Sequence, residues 1–169
     1  MHQPPPAPRT RFTFGDFLYY SAAGLVPLLT GAVAIYPRSV LGLICYALVC
    51  LAGGGVILYH FCTHCPHYLA EGRTLRCMFF WGLPKPFERR PGPLRPLEKL
   101  ATFGASAAVI VFPLAWLADD PGLLAIYLLS FAVFVATVWR HECRRCVHRH
   151  CPINPNCAEA ANGTHAPGV

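Results

Sequence analysis

Charge is the scarcest property of this sequence. Asp, Glu, Lys and Arg supply 13% of its 169 residues, against 54% hydrophobic ones. With a mean hydropathy of +0.41, the chain is too apolar for an ordinary water-soluble domain of its size. The few charges are also segregated. Asp, Glu, Lys, Arg and His are all absent from Phe17 to Pro37, from Ser39 to Tyr59, from Leu100 to Ala118 and from Pro121 to Trp139. Each window approaches the ~20 residues with which an α-helix crosses a ~30 Å hydrocarbon layer. The expected fold class is therefore all-α integral membrane, with four transmembrane helices at about 17–37, 39–60, 100–118 and 121–140. These pair as two hairpins, 17–60 and 100–140.

The same absences speak against several functions. Ionisable residues inside a membrane mark ion and proton routes, and the four windows hold none, which argues against a pump or ion-coupled transporter. No His lies within a span to hold a haem between helices, and no Cys-x-x-Cys-His is present for covalent haem attachment. No acid, base or nucleophile outside the cysteines stands out. The chain thus reads as an electron-transfer or accessory subunit rather than an independent enzyme.

Arg and Lys are nearly missing from the two short connections, which hold Arg38 on one and Asp119 and Asp120 on the other. Basic residues collect instead before residue 12, between Arg73 and Lys99, and from Arg140 to Arg149. By the positive-inside rule both termini and the central segment 61–99 are expected in the cytoplasm, with the protein in the cell (inner) membrane. The net charge of +6 is then a topology signal, and no nucleic-acid partner is expected; the bilayer itself is the first partner. The first apolar run is longer than the usual core of a signal peptide, so it is kept as helix one. Residues 1–16 and 158–169 read as disordered tails.

Nine cysteines are present, two of them, Cys45 and Cys50, inside the second window. The other seven, Cys62, Cys65, Cys77, Cys143, Cys146, Cys151 and Cys157, fall on the expected cytoplasmic side, where thiols are normally kept reduced. Residues 60–65 read HFCTHC and residues 141–146 read HECRRC. A shift of 81 positions superposes His60 on His141, Cys62 on Cys143, Cys65 on Cys146 and Tyr46 on Tyr127, the pattern of a diverged two-hairpin duplication.

Two Cys three residues apart at a helix end direct both sulfurs toward one point, and thiolate is a soft ligand for zinc or iron. If helices two and four are neighbours, Cys62, Cys65, Cys143 and Cys146 can converge on one centre. Alternatively Cys143, Cys146, Cys151 and Cys157 form one local set, with Cys62, Cys65, Cys77 and a His forming another. Two Cys-Pro steps, Cys65-Pro66 and Cys151-Pro152, are of the kind that close ferredoxin-type cluster motifs. The run from Cys143 to Pro152 departs from that spelling in its third spacing and lacks one ligand. The expected metal-site residues are these seven cysteines with His60 and His141; the remaining histidines, His64 among them, read as interfacial residues at helix ends.

The expected cofactor is an iron-sulfur cluster, with zinc as the alternative. The expected function is electron transfer between a cytosolic or membrane redox protein and a quinone or larger redox complex. Two rivals stand beside it: a zinc-stabilised assembly or docking protein, and a CxxC thiol oxidoreductase. The stretch from Cys77 to Arg90 mixes aromatic and basic residues and is expected to lie along the membrane surface over the cysteines. The Pro-rich residues 91–99 read as an extended linker into helix three.

Overall fold

A computed structural model of the protein describes residues 12–70 and 72–145. Four helical rods in it are long and apolar enough to cross a membrane: Phe14–Ile35, Val40–His64, Pro96–Leu117 and Pro121–Glu142. In chain order the elements are α1 (Phe14–Ile35), α2 (Val40–His60), α3 (Pro66–Leu69), β1 (Thr74–Arg76), β2 (Trp81–Pro84), α4 (Pro96–Val111), α5 (Leu114–Leu117) and α6 (Pro121–Thr137). A π-turn, Val138–Glu142, and a 3-10 turn, Cys143–Arg145, prolong α6.

Helix ends lie where caps, not charge-free windows, put them. α1 starts at Phe14 because Thr13 and Asp16 form a reciprocal capping box: the Thr13 N–H donates to the Asp16 carboxylate at 2.8 Å, and the Asp16 N–H donates to Thr13 Oγ1 at 3.2 Å. The tail expected over 1–16 therefore gives way to helix three residues early. α4 likewise starts at Pro96 rather than near residue 100, with Pro at its first position and the Arg95 N–H held by the Glu98 carboxylate at 2.8 Å. A carboxylate in the first turn suits the helix dipole, so Glu98 belongs to the helix that its charge seemed to end. Pro113 separates α4 from α5, while Pro27 is accommodated inside α1.

The two even rods begin alike. Ser39 Oγ accepts the Gly42 N–H at 2.9 Å, and Asp120 Oδ1 accepts the Leu123 N–H at 3.0 Å. Beside these caps Arg38 donates to the Trp116 carbonyl at 2.7 Å and to Asp119 at 2.8 Å, tying the two short connections together.

Packing runs across the chain order. α2 makes its extensive contact with α4, and α1 with α6, whereas α1 and α2 touch much less and α1 also meets α5. Helices adjacent in the chain are thus not the pairs in most extensive contact. The second and fourth spans, α2 and α6, are not among the closely packed pairs, and Cys146 lies outside the described residues. Shape explains the preference: a Cβ on Gly53 would meet Val109 Cγ2 at 2.9 Å, and one on Gly31 would meet Pro113 Cβ at 3.0 Å. Small residues let these backbones approach, which is how apolar helices gain contact where lipid offers no hydrophobic driving force. Tyr46 and Tyr127 are buried in the bundle, Tyr46 stacked on Phe112 and Tyr127 donating to the Ile110 carbonyl at 2.8 Å.

The expected all-α fold needs one correction. The segment between the hairpins folds into an antiparallel ribbon, with Thr74 opposite Pro84 and Arg76 opposite Trp81. Leu75 is buried between exposed Thr74 and Arg76, the period-two burial that a strand over a small core requires. That core joins Leu58 at the end of α2 to Tyr68 and Leu75, with Cys62, Cys65, Phe80 and Phe87 against it. Residues 91–99 are not a free linker either, since Leu94 and Glu98 are buried.

Candidate thiol centre

After α2 the chain turns through a 3-10 segment, Cys62–His64, before Pro66 opens α3. The Cys65 N–H donates to the Cys62 carbonyl at 2.9 Å, so Cys62 and Cys65 occupy one tight turn, and both lean on the Leu58–Tyr68–Leu75 core. Cys77 reaches the same region from the ribbon. Its N–H donates to the Phe80 carbonyl at 2.9 Å, and the Phe80 N–H donates to Cys77 Sγ at 3.3 Å. Cys62 lies within electrostatic reach of both Cys65 and Cys77. Burial pushes the Cys77 thiol above its ordinary range, against the opposing pull of the Phe79 and Phe80 N–H groups.

The structure thus brings Cys62, Cys65 and Cys77 together. Among the described residues no group of three or more His, Cys, Asp or Glu is placed so that it could hold a metal ion. Cys143 sits half-buried on the 3-10 turn beyond α6. The ribbon leans toward that rod, with Phe79 against Phe134 at 6.2 Å between ring centres, and toward the start of α1, with Trp81 against Phe14 at 5.9 Å and Phe17 at 6.5 Å. Cys146, Cys151 and Cys157 lie outside the described residues.

The two repeated histidines differ. His60 is half-buried, edge-on to Tyr59, with its Nδ1 buried and without a hydrogen-bond partner among the described residues. His141 is exposed on a shallow cleft of about 260 Å³ with Tyr19, Tyr20, Thr137, Glu142 and Arg145. Within that cleft the Tyr20 hydroxyl donates to Glu142 Oε1 at 2.6 Å.

His64, expected only as an interfacial residue, is tightly held. It is 6% exposed, with Nδ1 at 3.2 Å from the Gly92 carbonyl and Nε2 at 3.5 Å from Glu98 Oε1. Arg90 reaches the same carboxylate at 3.5 Å, lies over the Tyr59 ring at 4.3 Å and donates to the Tyr59 hydroxyl. The Arg90 N–H also donates to the Thr63 carbonyl at 3.2 Å. This network locks the turn between the two cysteines onto the start of α4. A buried carboxylate needs cationic or N–H partners, so Glu98 next to an apolar helix was the available sequence signal for it.

Known protein families, curated proteins and solved structures give no match to the chain.

Proposed function

We propose that the protein is a multi-pass inner-membrane protein with its thiols on the cytoplasmic face, where a metal centre, iron-sulfur in the leading reading, passes electrons between a cytosolic partner and a membrane quinone or redox complex. The observation that carries the reading is that Cys62 and Cys65 pack on one small apolar core, with Cys77 near enough for charge to act between it and Cys62 and its sulfur accepting the Phe80 N–H. Thiolates so placed are soft ligands, and N–H groups aimed at such sulfurs raise the reduction potential of a cluster they hold. Cys143 and the cysteines after it supply the remaining ligands in this reading.

A zinc clamp is the second reading. The network from His64 through Glu98 and Arg90 to Tyr59 favours it, because a rigidly held turn suits a closed structural site. A thiol oxidoreductase fits less well. Exchange by Cys62/Cys65 or Cys143/Cys146 needs an accessible thiol of lowered pKa, and Cys62 and Cys65 are half-buried against the Leu58–Tyr68–Leu75 core.

The caps at Ser39 and Asp120, the buried Tyr46 and Tyr127, and the paired Arg38 and Asp119 all stand 81 residues apart. They support a duplicated hairpin whose halves face each other across a pseudo-twofold axis.

The test is the full chain purified anaerobically and assayed for iron, acid-labile sulfide and zinc, with its visible spectrum. Iron and sulfide lost in C77S support electron transfer. Zinc alone removes that reading and leaves the clamp.

A further inference from the structure

Beside the ribbon, a cleft of about 480 Å³ opens between Gly72–Arg73 and the chain from Lys85 to Arg89. Its walls are joined, since the Lys85 N–H donates to the Arg73 carbonyl at 3.1 Å and the Lys85 ammonium donates to the Ala70 carbonyl at 2.6 Å while lying over the Tyr68 ring at 5.7 Å. Gly72 adopts φ +111° at the rim with open space where a side chain would stand. A backbone of this kind needs glycine and leaves the approach to the cleft clear.

Three cations line this cleft, Arg73, Lys85 and Arg89, against one carboxylate, Glu88. The Arg73 and Arg89 guanidiniums make no hydrogen bond or ion pair with the described residues. Burial, and after it the charge of Arg89, holds the Lys85 ammonium below its usual range. Three cations against one carboxylate leave an excess of positive charge, which a bound anion offsets. Arg presents a planar fork of donors matched to phosphate oxygens, and an adjacent Lys adds a point charge.

We propose that this cleft binds a phosphate group, gripped by Arg73 and Arg89 with Lys85 beside them. It stands on residues other than the thiols, so it holds whether or not a metal is bound. The phosphate can come from an anionic lipid headgroup at the membrane surface or from a free phosphate ion.

Two arms of one experiment separate the sources. The full chain is placed in nanodiscs of phosphatidylcholine and titrated with inorganic phosphate by calorimetry. In parallel it is placed in nanodiscs with a fifth of the lipid replaced by phosphatidylglycerol, and the lipids retained on the protein are counted by native mass spectrometry. R73Q/R89Q removes the two forks, while R76Q/K99Q removes the same charge from exposed positions outside the cleft. The expected result is binding in at least one arm that weakens tenfold or more in R73Q/R89Q and less than twofold in R76Q/K99Q. Binding of inorganic phosphate assigns the free ion, and enrichment of phosphatidylglycerol assigns the headgroup. Equal weakening in both variants, or binding in neither arm, overturns the proposal.

Discussion

Arg38 and Asp119 meet at 2.8 Å, 81 residues apart in the chain, at the turn that each makes between its two helices. Arg38 also holds the Trp116 carbonyl, so the two partners are unequal. Both side chains are open to solvent, at 39% and 73% exposure, where an ion pair contributes about 0–1 kcal/mol. Arg38→Ala is expected to lower stability more than Asp119→Ala, with a coupling below ~1 kcal/mol in a double-mutant cycle. Denaturant unfolding of the four proteins in one detergent measures it, and a larger loss for Asp119→Ala would contradict the carbonyl bond.

Gly53 and Gly54 are neighbours in α2 with different surroundings. A side chain at Gly53 enters Val109, whereas one at Gly54 meets nothing within 4 Å. Gly53→Leu is expected to destabilise the bundle by roughly 1–3 kcal/mol through overpacking, and Gly54→Leu to leave it nearly unchanged. Thermal midpoints of the two variants in detergent decide the matter.

Glu98 is 8% exposed and shared by His64, Arg90 and the Arg95 N–H. Glu98→Ala leaves buried donors without an acceptor, which costs roughly 1–3 kcal/mol. The loss should appear first around the Cys62–Cys65 turn. Hydrogen exchange at residues 62–65 should rise more than exchange in α6, and uniform change across the chain would refute the local tie.

Cys77 gives opposite pH slopes with and without metal. Its thiol pKa is raised by burial, so the metal-free fold favours the protonated thiol. That contribution is complete at and below the ordinary thiol range and is lost as pH rises through the raised folded value. A metal-loaded centre behaves the other way, since ligation displaces protons and occupancy falls on acidification. Unfolding midpoints and metal content between mildly acidic and alkaline pH are the measurement. C77S should flatten the alkaline slope of the metal-free protein.

The number and rough position of the four long apolar helices were readable from residues alone, because the charges are so few and so segregated. Helix starts were not, since Asp16 and Glu98 look like the ends of apolar windows and act as caps within the first turn. The partner of each helix was not readable either. It depends on where Gly53 and Gly31 admit Val109 and Pro113, and no periodicity in the chain ranks those approaches. At the site, spacing alone joined Cys62 to Cys65. Cys77 joins them only because Leu75 turns inward and brings its strand onto Tyr68. His64 carried no motif of its own, and its role depends on Glu98 and Gly92, about thirty residues onward.

The contact between Phe79 and Phe134 carries a consequence for biosynthesis. The ribbon emerges from the ribosome well before α6, yet its aromatic tip rests on a residue of that last rod. Leu58, Tyr68, Phe14 and Phe17 all precede α6, so the ribbon can settle on them first and gains the Phe134 contact last. A chain that ends before α6 is therefore expected to keep the ribbon's small core and to lose only the anchoring of its tip.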